Sequence, residues 1–429
     1  MHNPSRGIAT LVAGLSAAAV MTVGFAAPAQ AAAPKTITLW THNAGNPAEM
    51  AIDQAMMDAF NKSQKQYKVV AQKFPQIAYN DAVTAAAAAG KLPCIIDVDG
   101  PVAPGWAWAG YIAPLTLPKA TTDKFLSSVK TVYNGKLYAI GHYDAAIGLF
   151  STKTALNAIG ARVATVDKPW TLAEYNDALA KFKASGKYKF AISLGTGWDG
   201  EWYPYAFSPM LQAFGGDLVN RNGYQTAEGV LNGRAAKAWG TWFQGLFTKG
   251  YAEKKESGGR EGFLEGTAAL MWNGSWAAGD AMKKYGDDLV VMPPPNLGKG
   301  AFIGGASWQW AVTASCKDKA GAMAYLKSTL DPKYQVRFAQ ELNNIPATEA
   351  ALAKSKNFAK GSVMNTLAQI SKKYAKVRPV TPAYPVIAKV FEKATKDIIA
   401  GADVQNALDA AVDEIDKNIA DNNGYKSKK

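Results

Sequence analysis

Histidine and cysteine are nearly missing from this chain of 429 residues, which holds three of the first and two of the second. No His-x-x-x-His and no Cys-x-x-Cys spacing occurs, which argues against a transition-metal centre. A Gly-x-Ser-x-Gly elbow and a Walker A loop are also absent, so neither acyl transfer nor nucleotide hydrolysis has its usual signature. One glycine motif does occur, Gly195-Thr196-Gly197-Trp198-Asp199-Gly200, after a strand-like run. A dinucleotide loop must open a helix at once beneath a pyrophosphate. Here Trp198 crowds the loop and Glu201-Trp202-Tyr203-Pro204 follows in place of a helix start, so no nucleotide cofactor is expected. Charge is also sparse: 19% of residues are charged, against 48% hydrophobic, the balance of a folded chain with a full core.

The net charge of +13 raises the question of nucleic acid. Lysines alternate with acids, as in Glu253-Lys254-Lys255-Glu256, and the clearest unopposed cluster is the tail Lys426-Ser427-Lys428-Lys429. That pattern suits solvated faces and excludes a nucleic-acid groove from our expectations. Long apolar runs are confined to the N-terminus. Residues 8–27 carry no charge, follow Arg6, and end at Pro28 and Ala29-Gln30-Ala31. This is the layout of a cleavable export signal over 1–31, with no cysteine at the cut to take a lipid. The expected product is free in the periplasm. Cys94 and Cys316 then lie in an oxidising compartment, each beside a strand-like run; they form a disulfide if those strands are neighbours and remain buried thiols otherwise.

Strand and helix signals alternate from the start. Thr36-Ile37-Thr38-Leu39-Trp40 alternates as a strand, Ile52, Met56 and Phe60 share a helical face, and Cys94 to Val98 reads as a buried strand. Thr171 opens a helical stripe through Leu172, Tyr175, Leu179 and Phe182, and Val404, Leu408, Val412, Ile415 and Ile419 repeat at helical period. This order predicts α/β layers with mostly parallel sheets.

Aromatic residues gather with polar ones after strands: Thr41-His42-Asn43; Asp99 with Trp106, Trp108 and Tyr111; Trp198 with Trp202, Tyr203 and Tyr205; Trp272 with Trp276; Trp308 with Trp310. A sugar has an apolar C–H face and a rim of hydroxyls, which such pairs satisfy. Ligands of open α/β sheets bind at the carboxyl ends of strands. For the rival reading, a carbohydrate-active enzyme with two facing carboxylates, Asp99, Asp144, Asp199 and Glu201 are the candidates.

The chain resembles the extracellular solute-binding proteins of sugar ABC importers, the maltose-binding-protein-like family. The resemblance rests on Ile37 to Trp40 with Ala59-Phe60-Asn61; Asn134-Gly135-Lys136-Leu137-Tyr138-Ala139-Ile140 running on to Leu149-Phe150-Ser151-Thr152-Lys153; Ala269 to Trp276; and Gly304-Gly305 before Cys316 to Leu326. It implies a type II periplasmic-binding-protein fold, two α/β lobes joined by a hinge, with crossings near 139–144, 302–307 and 345–351. Lobe 1 would be 32–141 plus 305–347, and lobe 2 would be 142–304 plus 348–429. It further implies stacking by Trp276 foremost, by Trp202 or Tyr203, by Tyr384 and by Trp308, with Asp99 and Arg378 as polar contacts; Trp40, His42, Asn43, Trp106 and Asp144 complete the candidate set. The expected protein is a monomer without cofactor, metal or catalysis that hands a carbohydrate to inner-membrane permease subunits with their cytoplasmic ATPase. A polyol, phosphate ester or peptide remains the alternative ligand.

Overall fold

The computed structural model describes residues 33–256 and 259–426; the expected export signal and the last three residues lie outside them. The chain begins with β1 (Lys35–Thr41), in which Ile37 and Leu39 turn inward while Thr36 and Thr38 face solvent. There follow β2 (Tyr67–Lys73), β3 (Ile95–Asp99), β4 (Lys130–Tyr133) and β5 (Lys136–Ile140). Asn134 and Gly135 both take positive φ (47° and 72°), the backbone a two-residue hairpin turn between β4 and β5 demands. The short β6 (Tyr143–Asp144) leads to β7 (Ile147–Thr152), β8 (Phe190–Ser193), β9 (Ala268–Gly274) and β10 (Leu289–Met292). The chain returns through β11 (Ile303–Gly305) to β12 (Trp308–Val312), then β13 (Ile345–Pro346) and β14 (Ala375–Val377).

Two main sheets result, ordered β2-β1-β3-β12-β5-β4 and β10-β7-β9-β8. The expectation of mostly parallel sheets needs correcting. Only β1–β2, β1–β3 and β8–β9 pair parallel within them, while β12 runs antiparallel to both β3 and β5, and β7 to both β9 and β10. The reason lies in the connections: β12 enters the first sheet from the crossing that leaves the second, and so travels against β3. Between the sheets stand two small ladders, β11 with β14 and β6 with β13.

Helices cover both sheets. Thr171 and Glu174 form a reciprocal capping box at the start of Leu172–Ala184, which packs on β8. A second correction concerns Trp202–Phe214, a helix that begins where the sequence suggested none. Pro204 sits in its first turn, where a missing N–H costs nothing. One core, through Phe150, Phe207, Trp239 and Phe391, continues into Ile96 and Val98 of the first sheet and Trp106 of the helix Ala103–Trp108; a second fills that sheet's other side with Ile37, Phe60, Tyr325 and Leu326. Cys94 and Cys316 form a disulfide with Cα atoms 4.5 Å apart, because β3 and β12 are neighbours with Ile95 opposite Val312.

Candidate functional site

After β8 the chain makes a loop whose amides are already occupied. The Glu256 carboxylate accepts from Leu194 N (2.7 Å), Gly195 N (3.1 Å) and the Ser193 hydroxyl (2.7 Å), so the glycine motif binds its own chain's anion. The loop thereby presents Trp198, which meets Trp202 edge-on at 4.7 Å. Trp276, just beyond β9, completes the cluster at 6.4 Å from Trp198, 6.2 Å from Trp202 and 6.1 Å from Tyr205. It folds back over Gly274, where a Cβ would come within 2.2 Å of the indole; any larger residue would displace that ring. Trp202 and Tyr205 are both 7% exposed and Trp276 only partly buried, so Trp276 keeps the most open surface of the three.

Beside this cluster lies a buried ionic bridge. Arg378, directly after β14, donates to Asp99 Oδ2 (3.2 Å) and Oδ1 (3.3 Å), to the Ala306 carbonyl (3.1 Å) and to Glu201. Tyr384 donates its hydroxyl to the same Glu201 carboxylate. The guanidinium also lies 4.9 Å over the Tyr205 ring. Burial pushes Glu201 up to about 7, an effect that Arg378 opposes and Asp99 reinforces. Asp99 ends β3 of the first sheet, and Glu201 precedes the helix beside the second; one cation therefore ties both sheets together.

Across from Asp99 in register stands Trp308. His42 stacks flat against it, with centroids 3.5 Å apart and planes 4° from parallel. Behind His42 is a sealed polar network: its Nδ1 lies 2.5 Å from Asp97 Oδ2, Asn43 donates to Asp53 (2.7 Å), and Tyr143 donates to Glu49 (2.9 Å). Burial pushes Glu49 and Asp53 upward. Burial alone would lower His42, but the Asp97 and Glu49 charges outweigh it and hold the imidazole above its ordinary value.

The structure thus brings together Trp202, Trp276, Asp99, Arg378, Tyr384, Trp308 and His42. Several expected residues do not play the part expected of them. Tyr203 and Tyr384, taken as stacking rings, are 1% and 0% exposed and offer no free face; their hydroxyls go to Thr196 and Glu201. Trp40 packs on Phe74 at 4.7 Å, and Trp106 belongs to the core. Asn43 lies in the sealed network, and Asp144 is fully buried on Ser128 and the Ala145 amide. The ligand-binding candidates lacked Trp198, Tyr205 and Glu201, the last named only as a carboxylate for the enzyme reading, although the run Trp198 to Tyr205 carried the signal. A separate cavity of about 430 Å³ opens beside β8, lined by Phe190 and by Lys189, Glu253, Lys255, Glu261 and Glu265. One ring among so many charges does not suit a sugar's apolar face. Among the described residues no helix is long and apolar enough to cross a membrane, and no group of three His, Cys, Asp or Glu side chains is placed to hold a metal.

Residues 55–366 match the family model of bacterial extracellular solute-binding proteins. No curated protein matches the sequence significantly. Among solved structures, the GacH receptor of Streptomyces glaucescens, known unliganded and with acarbose, shares 22% identity at TM-score 0.73 over 92% of this chain and 100% of its own. The maltose/maltodextrin-binding domain MalE of Bdellovibrio bacteriovorus, bound to maltotriose, shares 20% at TM-score 0.74 over 90% and 100%. A solute-binding protein from Thermotoga lettingae bound to alpha-D-tagatose shares 20% at TM-score 0.70 over 89% and 99%. These likenesses give the fold: the two-lobed type II arrangement of periplasmic binding proteins.

Proposed function

The chain belongs to the bacterial extracellular solute-binding proteins, and we propose that its solute is a carbohydrate, captured between two lobes and delivered to an ABC permease. One observation carries this reading. Trp276, Tyr205, Arg378 and Asp99 form a continuous chain of contacts from an aromatic cluster into charged groups; Trp276 keeps open surface, while Tyr205, Arg378 and Asp99 are buried and reach a ligand only when the Arg378 bridge rearranges. A pyranose needs that combination, a flat apolar face beside donors and acceptors for its hydroxyls. The known ligands of the structural neighbours, acarbose, maltotriose and tagatose, support the same choice.

In this reading the first lobe is built on the six-stranded sheet (32–141 plus 305–347), the second on the four-stranded sheet (142–304 plus 348–429), and the small ladders are the hinge. Trp276 is the principal platform on the second lobe and Trp308 the platform of the first. Closure is favoured by ligand because contacts from both lobes exist only in the closed state. The protein acts by binding alone, without catalysis. It works as a monomer in the periplasm, exported by its N-terminal signal.

The test is titration calorimetry with mono-, di- and oligosaccharides. Trp276→Ala is expected to weaken binding about tenfold or more, on the order of 1.4 kcal/mol. Unchanged affinity removes Trp276 from the site, and failure of every sugar to bind overturns the carbohydrate reading.

A further inference from the structure

His42 has the burial of a core residue and the position of a site residue. It is 5% exposed, yet its ring lies flush against Trp308, which is only partly buried. With one face of Trp308 closed by His42 at 3.5 Å, the surface it still offers is the opposite face and the rim. A centroid distance that short with planes 4° apart leaves no room for either ring to tilt independently.

His42 is itself held from several sides. Asp97 of β3 accepts from its backbone N–H (3.1 Å) and lies 2.5 Å from Nδ1. Glu49, on the helix Pro47–Ser63, stands 4.0 Å from Nε2, with Asp53 of the same helix nearby and Tyr143 bonded to Glu49. Tyr79, on the helix Gln76–Ala88, meets both rings edge-on, His42 at 6.4 Å and Trp308 at 5.8 Å, and fixes its hydroxyl on the Asp97 carbonyl (2.9 Å). The acidic neighbours Asp97, Glu49 and Asp53 favour an imidazolium over a neutral ring. A cation under an indole is attracted by the ring's quadrupole, and more strongly where water is excluded.

We propose that His42 is a positioning residue: as an imidazolium clamped by Asp97 it fixes the plane of Trp308, and so couples pH to the ring that the first lobe offers to ligand. The inference rests on the carbohydrate reading only for what touches Trp308. The coupling itself belongs to the unliganded protein. When the proton leaves, Asp97 still accepts from Nδ1, but the cation beneath Trp308 is gone and the platform loosens.

The experiment has two arms. In the first, the ligand-free protein is titrated by NMR from about pH 5.5 to about pH 9, bracketing the ordinary imidazole value near 6.5. The Trp308 indole N–H, assigned with Trp308→Phe, is expected to shift with one transition that coincides with the His42 imidazole resonances. In His42→Asn, whose amide can still donate to Asp97, that transition should vanish while the fold is kept. A Trp308 transition that survives in His42→Asn assigns it to Glu49 or Asp53 and overturns the proposal; so does a Trp308 signal that stays flat while His42 titrates. In the second arm, maltotriose affinity is measured across the same range. Wild-type affinity should fall by at least about threefold as pH rises through the His42 transition, and the variant's should not change with pH. A pH-independent wild-type affinity overturns the link to binding. If maltotriose does not bind at any pH, the carbohydrate reading fails, and the first arm still decides the coupling.

Discussion

The two buried polar clusters beside the candidate site differ in what they join. The network of His42, Asp97, Glu49, Asp53, Asn43 and Tyr143 is anchored on the first sheet and its helix except for Tyr143 of β6, so all the other partners move with their neighbours. The Arg378 bridge takes Asp99 from the first sheet, Glu201 from beside the second, and the cation itself from the segment after β14. A cluster of the first kind makes a rigid wall. One of the second kind must break or rearrange whenever the lobes separate, and so contributes to the balance between open and closed forms.

The largest effect that would test this contrast is Arg378→Met. It leaves Asp99 and Glu201 without their shared cation, and urea unfolding should report a loss of about 3–5 kcal/mol. A loss below about 1 kcal/mol would mean that Asp99 is solvated in the unliganded protein and the bridge is not formed there. Next comes the disulfide, which stiffens only the first sheet. Cys94→Ser with Cys316→Ser is expected to cost about 2–4 kcal/mol while leaving sugar affinity nearly unchanged. A comparable fall in affinity would show that the wall is not independent of the cleft. Trp276→Ala, at about tenfold in affinity, follows.

The last effect is in the pH dependence of stability. Glu201 is pushed up from 4.5 to about 7 in the folded protein, so the fold takes up a proton that the unfolded chain has already lost. Its contribution is present below about pH 4.5 and is lost as pH rises through about 7. Between those limits wild-type Tm should fall further than that of Glu201→Gln, which has no proton to lose there. Parallel Tm profiles in scanning calorimetry would remove Glu201 as the source.

Local chemistry made much of the fold legible in advance. The alternation through Ile37 and Leu39 predicted β1, Asn134-Gly135 marks the β4–β5 hairpin, and the spacing from Val404 to Ile419 lies along a helix that runs Val404–Asp421. The position of β12 was not legible as antiparallel, because its partners β3 and β5 lie far back in the sequence and no local pattern encodes direction. For the site, residue type and position after a strand pointed to Trp276, Asp99 and Arg378. The same rule also collected Trp40, Trp106 and Tyr203, since a ring in a loop and a ring folded into the core look alike until their neighbours are known. Asn43 and His42 stood at the right strand end, yet buried carboxylates, Asp53 of the following helix and Asp97 of β3, take up their polar atoms.

The place of β12 also bears on how the chain reaches this state. The first sheet has a gap between β3 and β5 that only β12 can fill, and the disulfide closing it joins cysteines 222 positions apart. At a synthesis rate of about 5–20 residues per second, the interval between the two cysteines is about 10–40 s. Through that time the apolar edge of β3 has no native partner on one side and is open to mispairing with other chains. A chain built this way benefits from being kept unfolded until its late strand has been made.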